Sequence, residues 1–190
     1  FTTGYSEYST EAFSLHASGY LLKPVSTEQI EEELENLRHP VQLQNGNKLQ
    51  ARTFGNFEVY VDGEPLSFRY SKTKELFAYL IDREGAVCSN KELMSVLWES
   101  DEPHLSYIQK IRKDLQNVLE ESGCGEVFVS KWGGCGINTD VIDCDYYDWI
   151  AGKPYAINAY RGEYMTQYSW AEITHGSLEY EFRKNLEGHE

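Results

Sequence analysis

The chain has 190 residues, 25% of them charged, and a formal net charge of −14 at pH 7. Its hydrophobic content of 41% is typical of folded globular proteins and excludes a disordered chain, and its length suits one domain with small or partial neighbours. The sequence contains no run of about 18 apolar residues, so no membrane partner is expected. The acidic excess disfavours DNA binding by the chain as a whole, because phosphate contacts need Lys and Arg.

The pattern of cysteines indicates the compartment in which the protein is found. The four cysteines form no C-x-x-C pair, and the five histidines are not spaced with them as metal ligands are. We therefore expect buried, reduced thiols in a cytoplasmic protein, with no metal and no cofactor.

The first residues include neither Met nor a charged region leading into an apolar one, so we expect a start inside a longer protein.

Residues 1–39 are predicted to form a short strand, a helix, a second strand and an acidic amphipathic helix. The second strand is apolar over residues 19–25 and includes Lys23-Pro24. Ser26 is placed to cap the next helix, and Gln29 stands at the third helical position, where it completes a capping box.

Residues 40–50 show no apolar periodicity, which predicts a linker. The next domain is expected over residues 51–140, with strands, three helices and a hairpin in that order. Residues 57–61 alternate between apolar and polar side chains and precede Asp62-Gly63, a turn signal, so two strands are expected to pair there.

Apolar residues at helical spacing predict the three helices of this domain. The first covers residues 73–83 and ends before Gly85. The second is capped by Ser89 with Glu92 in a capping box, and the third covers about residues 105–121. The buried face of the third helix is expected to consist of Ile108, Ile111, Leu115, Val118 and Leu119.

Positive charge is concentrated on the opposite face of this third helix. The outward residues are expected to be Gln109, Lys110, Arg112, Lys113 and Gln116. Taken alone, such a helix is typical of a solvated surface. Residues 127–137 follow it and are predicted to form two strands joined by a short turn near Lys131, with glycines that allow a close approach.

The order of these elements over residues 54–140 resembles the winged helix of OmpR-type response regulators. The motifs that carry the resemblance are Phe54-Gly55-x-Phe57, Lys72-x-x-Glu75-Leu76-x-x-Tyr79-Leu80, Leu97-Trp98 and Ile108-x-x-Ile111-Arg112-Lys113-x-Leu115. The resemblance implies that the third helix enters the major groove of DNA and that the hairpin contacts the backbone or the minor groove. The DNA contacts that it implies are Ser106, Tyr107, Gln109, Lys110, Arg112, Lys113 and Lys131.

The N-terminal segment resembles the last third of a receiver domain. The motifs are Phe1-Thr2-Thr3-Gly4-Tyr5, Ala12-Phe13 and Gly19-Tyr20-Leu21-Leu22-Lys23-Pro24. The resemblance implies Thr3 as the switch hydroxyl, Tyr20 as the switch aromatic and Lys23 as the cation that contacts the phosphoryl group, with a cis Lys23-Pro24 bond. The phosphoacceptor Asp and the acidic metal site have no counterpart in the sequence, so no phosphorylation is predicted for this chain.

The C-terminal segment resembles the start of the bacterial transcriptional activation domain of antibiotic-regulatory-type activators. The motifs are Asp143-Cys144-Asp145-x-x-Asp148-Trp149 and Tyr160-Arg161-Gly162-Glu163-Tyr164-Met165, followed by Trp170-Ala171. Helices are predicted over residues 146–152 and 169–186, and the aromatic residues are expected to pack between helices rather than to bind a ligand.

Together these resemblances imply an α+β fold. The core is a winged helix-turn-helix with an N-terminal β-sheet and a C-terminal hairpin, flanked by a partial α/β receiver segment and a short α-helical extension. The expected divisions are residues 1–39 for the receiver part, 40–50 for the linker, 51–140 for the winged helix and 141–190 for the extension.

The function implied is that of a bacterial two-component response regulator that binds double-stranded DNA and controls transcription. Its implied partners are a second copy in a homodimer, RNA polymerase and, for the intact protein, a sensor kinase. No Ser-His-Asp arrangement, Gly-rich phosphate loop or His-Glu metal motif is present, so an enzyme is not expected.

The alternative function is an acidic protein-interaction module that keeps the winged helix without binding DNA. Residues 50–140 contain 10 Lys and Arg against 15 Asp and Glu, so even this domain is net negative. This alternative predicts that Asp114, Glu120 and Glu121 interrupt the cationic face of the third helix.

Overall fold

The computed structural model of the chain describes residues 2–4, 21–27, 29–30, 48–98 and 105–187. It divides into two compact units. One comprises residues 1–43 and 148–161, and the other comprises residues 44–147 and 162–190. The second unit contains the winged helix.

Two short parallel strands form the N-terminal part of the first unit. Strand β1 (Thr2–Thr3) pairs with β2 (Leu21–Leu22), and the Lys23-Pro24 bond that follows is cis, as the receiver resemblance implied. The predicted capping box is present, because the Ser26 backbone N–H donates to Gln29 Oε1 at 3.1 Å and the Gln29 N–H donates to Ser26 Oγ at 3.3 Å.

A four-stranded sheet opens the second unit, in the order β5-β4-β3-β9. Its strands are β3 (Leu49–Arg52), β4 (Glu58–Val61), β5 (Glu64–Pro65) and β9 (Ile142–Cys144). Strands β4 and β5 form the predicted hairpin, and the turn residues Asp62 and Gly63 have φ angles of 51° and 84°, the left-handed conformation that such a turn requires.

The bounds of this sheet correct the sequence prediction at both ends. Strand β3 begins at Leu49, inside the segment assigned to the linker, because Leu49 and Ala51 alternate with polar residues and are buried. Residues 142–144 were assigned to a helical extension, yet they pair in parallel with β3 from Leu49 to Ala51. A strand of three residues has too little periodicity to be recognised in the sequence.

Three helices pack on one another: α1 (Ser71–Asp82), α2 (Asn90–Leu97) and α3 (Leu105–Glu121). Their buried apolar side chains include Leu76, Phe77, Leu80, Ile81, Leu93, Leu97, Ile108, Ile111, Leu115 and Leu119. Helix α3 has the predicted bounds, but Val118 is only half-buried. The predicted cap of α2 is present, since the Glu92 N–H donates to Ser89 Oγ at 3.1 Å.

The hairpin of β7 (Phe128–Lys131) and β8 (Gly134–Ile137) follows α3. Strand β8 lies between β7 and the two-residue strand β6 (Cys88–Ser89), which precedes α2. Glycine is required at Gly134, because a Cβ atom there would collide with the backbone carbonyl of Cys88. This close approach sets the hairpin directly against the start of α2.

The remaining helices are α4 (Asp145–Ile150), α5 (Pro154–Ala159) and α6 (Glu172–Glu187), with a 3-10 turn at Ser169–Ala171 before α6. Residues 162–171 return to the start of the sheet. The Met165 N–H donates to the Thr53 carbonyl at 2.8 Å, and the Gly55 N–H donates to the Glu163 carbonyl at 3.1 Å. Tyr164 is buried, and the half-buried Trp170 packs edge-to-face on Tyr79, so both aromatic rings pack against other parts of the protein as expected.

Asp145, the first residue of α4, holds β9 and α4 to the end of β3. Its carboxylate accepts hydrogen bonds from the Thr53 backbone N–H at 2.8 Å, the Thr53 hydroxyl at 2.6 Å and the Phe54 N–H at 3.1 Å. Burial raises the pKa of Asp145, and these donors act against that shift by stabilising the ionised form.

The four cysteines all lie in the described part of the chain, and all four are buried, with none in a disulfide. Burial raises the pKa of Cys135 to about 11 and that of Cys88 to about 12, so both remain thiols at neutral pH. Within the described ranges, no group of three or more His, Cys, Asp or Glu side chains is arranged to hold a metal ion. None of the helices described has the length and apolar character needed to cross a membrane.

Candidate nucleic-acid interface

The two faces of α3 separate apolar from cationic residues. Ile108, Ile111 and Leu115 are turned into the core and are fully or almost fully buried. The face turned outward exposes Gln109, Lys110 and Lys113, as the spacing predicted. These side chains therefore face solvent on the side of α3 opposite the core.

Arg112 lies at the edge of this face and makes contacts within the protein. Its Nη1 donates to Asn90 Oδ1 at 2.7 Å, and its Nη2 donates to the backbone carbonyls of Gly134 and, at 3.4 Å, of Lys131. One guanidinium therefore joins α3 to the first residue of α2 and to both strands of the hairpin. The side chain is half-buried, unlike its exposed neighbour Lys113.

An open pocket of about 220 Å³ lies between α3 and strand β7. Its lining residues are Gln109, Arg112, Lys113, Gln116, Phe128 and Ser130. Its cations are the exposed Lys113 and Arg112, whose guanidinium is bonded within the protein; three further lining side chains are neutral and polar, and none is acidic. This combination suits an anionic strand that crosses from α3 to the hairpin.

None of the acidic residues of α3 lines the pocket, although one of them borders it. Asp114 accepts a hydrogen bond from the Thr73 hydroxyl at 2.6 Å and therefore faces α1. Glu120 is exposed at the edge of the pocket, where its Oε1 accepts from Nε2 of the lining residue Gln116 at 2.7 Å. Glu121 is exposed at the last position of the helix. The first three turns of the outward face thus carry cations and amides.

Aromatic residues support the N-terminal half of α3. Tyr107, expected to contact phosphate, is 42% exposed and packs edge-to-face on Trp98 with ring centroids 5.4 Å apart. Lys110 lies over the ring of Tyr70, with its Nζ 4.9 Å from the centroid. Ser106 is exposed at the second position of the helix.

The tip of the hairpin projects into solvent. Lys131 ends β7 with an exposed side chain, and Trp132 and Gly133 form the two-residue turn to β8. The backbone of the tip is bonded to α2 and α3. The Asn90 N–H donates to the Gly133 carbonyl at 2.9 Å, and Arg112 donates to the Lys131 carbonyl. The structure thus brings Lys131 close to the cationic face of α3.

The receiver-type residues lie in the first unit. The Lys23 N–H donates to the Thr3 carbonyl at 2.8 Å, so Lys23, directly after β2, lies beside Thr3 of β1. The Lys23 side chain is exposed. Tyr20, the third residue of this set, lies outside the described residues.

Three residues of the interface were not anticipated from the sequence. Asn90 anchors Arg112, while Phe128 and Ser130 complete the pocket. The alternation along β7 could have indicated that Phe128 and Ser130 share one face of that strand. Nothing in the sequence indicates the contact of Asn90 with Arg112, because 22 residues separate them.

The fold and this surface define a winged-helix protein, with the helix order and hairpin that the OmpR-type resemblance implied. No protein-family model matches the sequence, and no curated protein matches it. Among solved structures, the chain is similar to Mycobacterium tuberculosis EmbR, determined in complex with a low-affinity phosphopeptide. The TM-score is 0.55 and the identity 17%, over 72% of this chain and 43% of that chain.

Weaker similarity extends to two response regulators. The DNA-binding domain of AdeR, in complex with an intercistronic region, matches with a TM-score of 0.38 and 21% identity, over 43% of this chain and 84% of that chain. DrrB, an OmpR/PhoB homologue from Thermotoga maritima, matches with a TM-score of 0.40 and 20% identity, over 72% of this chain and 64% of that chain. The chain spans less than half of EmbR, and the likeness to EmbR confirms the α+β winged-helix fold alone.

Proposed function

We propose that this chain binds double-stranded DNA and belongs to a bacterial transcription regulator of the response-regulator type. The observation that carries the proposal is the outward face of α3, where Gln109, Lys110 and Lys113 are exposed beside a pocket that the β7–β8 hairpin completes. A helix and a hairpin that share one cationic surface suit a duplex, because the helix occupies the major groove while the hairpin follows the adjacent backbone.

In this arrangement the outward residues have different roles. Gln109 carries an amide whose donor and acceptor match the N6 and N7 atoms of adenine. Lys110 and Lys113 are flexible point charges, which suit phosphates on the two sides of the groove. Arg112 holds the hairpin and α2 rather than a base, because its donors are already directed at Asn90, Gly134 and Lys131.

The net negative charge of the domain makes these cations decisive. Residues 50–140 carry 10 basic against 15 acidic side chains, so the net charge of this domain repels a duplex. Each phosphate contact contributes about −0.9 to the slope of log affinity against log salt concentration. With so few cations in contact, losing two of them is expected to remove most of the affinity.

The test is a fluorescence-anisotropy titration with labelled duplexes enriched by the wild-type chain from a random-sequence pool, at two salt concentrations. The double variant Lys110→Gln, Lys113→Gln is expected to bind at least tenfold more weakly and to show a salt slope smaller by about two. The matched control is Lys184→Gln on α6, an exposed lysine that pairs with Glu181 at 3.9 Å. It should bind like the wild type.

The acidic interaction module remains the alternative, and this titration separates the two functions. If the wild-type chain enriches no duplex and binds none at low salt, DNA binding is refuted and the interaction module replaces it. Unchanged affinity of the double lysine variant would refute the assignment of α3 as the recognition helix. Circular dichroism of each variant establishes that the fold is intact.

A further inference from the structure

Trp132 is the most exposed of the large hydrophobic residues in the described part of the chain. The residue is 102% exposed, against 42–83% for the other exposed large hydrophobic residues. A tryptophan buries roughly 150–250 Å² when it packs, so leaving the whole indole in water forgoes a large apolar stabilisation. Single exposed hydrophobic residues are ordinary, but tryptophan is enriched where proteins contact partners, so a fully exposed indole at the tip of a hairpin is a candidate contact.

The backbone beneath Trp132 is fixed. Three carbonyls next to it in the sequence accept hydrogen bonds. Arg112 donates to those of Lys131 and Gly134, and the Asn90 N–H donates to that of Gly133. Gly133 has a φ angle of 72°, which completes the tight turn without steric cost. The indole is therefore presented on a rigid support, and little backbone entropy is lost when it binds.

The surroundings of the indole indicate a nucleic acid as that partner. Residues 127–137 contain one lysine and no acidic residue, although the chain as a whole has a net charge of −14. Phe128 and Ser130, on the same hairpin, line the pocket with Gln109 and Lys113 of α3. A DNA strand that crosses this pocket borders the major groove on the side of α3 and the minor groove on the side of the hairpin tip.

We propose that Trp132 enters the minor groove of DNA as an apolar wedge, with Lys131 on a flanking phosphate. The inference rests on the proposed DNA binding and names a contact that deepens it. The minor groove is about 6 Å wide, which admits an indole edge-on, and exposed apolar side chains that enter it pack against sugars or between base steps. The indole N–H donates to the acceptors of A·T pairs, whereas the guanine amino group opposes it, so the contact favours A·T.

The experiment compares Trp132→Ala and Trp132→Phe with the wild-type chain, using labelled duplexes that the wild type enriches from a random-sequence pool. Trp132→Ala is expected to weaken binding by about tenfold or more, as loss of an aromatic contact does at nucleic-acid surfaces. Its salt slope should not change, because an indole is neutral, while Lys131→Gln should lower the slope by about one. Trp132→Phe should keep much of the affinity and lose the A·T preference at the flanking position.

Because the side chain is fully exposed, Trp132→Ala is expected to keep the thermal midpoint of the wild type, so a change in binding is not a change in folding. Wild-type binding together with unchanged affinity of Trp132→Ala overturns the wedge and leaves the proposed DNA binding standing. A loss of affinity with unchanged base preferences overturns the minor-groove assignment. Absence of wild-type binding overturns both.

Discussion

Replacing Arg112 with Met tests whether this residue positions the hairpin or contacts DNA directly. Methionine keeps the apolar stem of the side chain and removes only the guanidinium. The change deletes the bonds to Asn90 Oδ1 at 2.7 Å and to the Gly134 carbonyl, both partly buried, and a weaker one to Lys131 at 3.4 Å. Hydrogen bonds to a charged group contribute about 1.5–3 kcal/mol each. Since the side chain is only half-buried, hydration of the acceptors recovers part of this, and we expect a loss of about 2–4 kcal/mol in unfolding free energy.

The measurement is urea denaturation followed by circular dichroism, with thermal unfolding alongside. For a unit of this size the expected loss corresponds to a fall of about 10 °C in the melting temperature. DNA affinity should fall as well, because the hairpin is no longer held against α3. The salt slope should stay that of the wild type, since Arg112 contacts no phosphate in the proposed complex.

Lys113→Met is the matched control on the next residue. Lys113 is exposed and reaches only Gln116 Oε1, at 3.5 Å, so its loss should change stability by less than about 0.5 kcal/mol. It should instead lower the salt slope by about one. The reasoning is refuted if Arg112→Met leaves the urea midpoint unchanged and lowers the salt slope, because Arg112 would then be a phosphate contact.

Two further substitutions test the support of the interface. Leu115→Ala opens a cavity under α3, where Leu115 is fully buried, and should cost about 2–5 kcal/mol in urea denaturation, against less than about 0.5 kcal/mol for the exposed Lys113. Wild-type stability of this variant would contradict the packing of α3. Asp145→Ala leaves the N–H groups of Thr53 and Phe54 without their acceptor and should cost about 2–4 kcal/mol. Asp145→Asn retains one acceptor oxygen and should lose less; an equal loss in both variants would show that charge, not hydrogen bonding, is what matters there.

The features that the sequence alone determined are those set by near neighbours. The apolar spacing from Ile108 to Leu119 identified α3 with the bounds that the structure has. The capping box of Ser26 with Gln29 and the Asp62-Gly63 turn depend on residues at most three positions apart, and both are present. Helix periodicity, caps and turns are local properties of the chain, so residue type and spacing suffice to predict them.

The excess of acidic over basic residues in the domain can be counted from the sequence, but the positions of the acidic side chains on the surface cannot. The spacing along α3 left open whether Asp114 lies on the cationic face. In the structure it bonds to Thr73 of α1, 41 positions away. The orientation of a side chain at the edge of a helix face is decided by the element that packs beside it.

Tertiary structure also determined the pairing of strand β9 and the hydrogen bonds of Arg112. Strand β9 pairs with β3 across about 90 residues, and its three residues are too few to show a pattern of their own. Arg112 belongs to the outward face by spacing, yet folding brings Asn90 and the Gly134 carbonyl within reach of its guanidinium. A long flexible cation contacts whichever acceptors the fold places nearby, and those acceptors come from distant parts of the chain. The sequence therefore predicts which residues share a face, and only the fold separates those that remain exposed from those that bond within the protein.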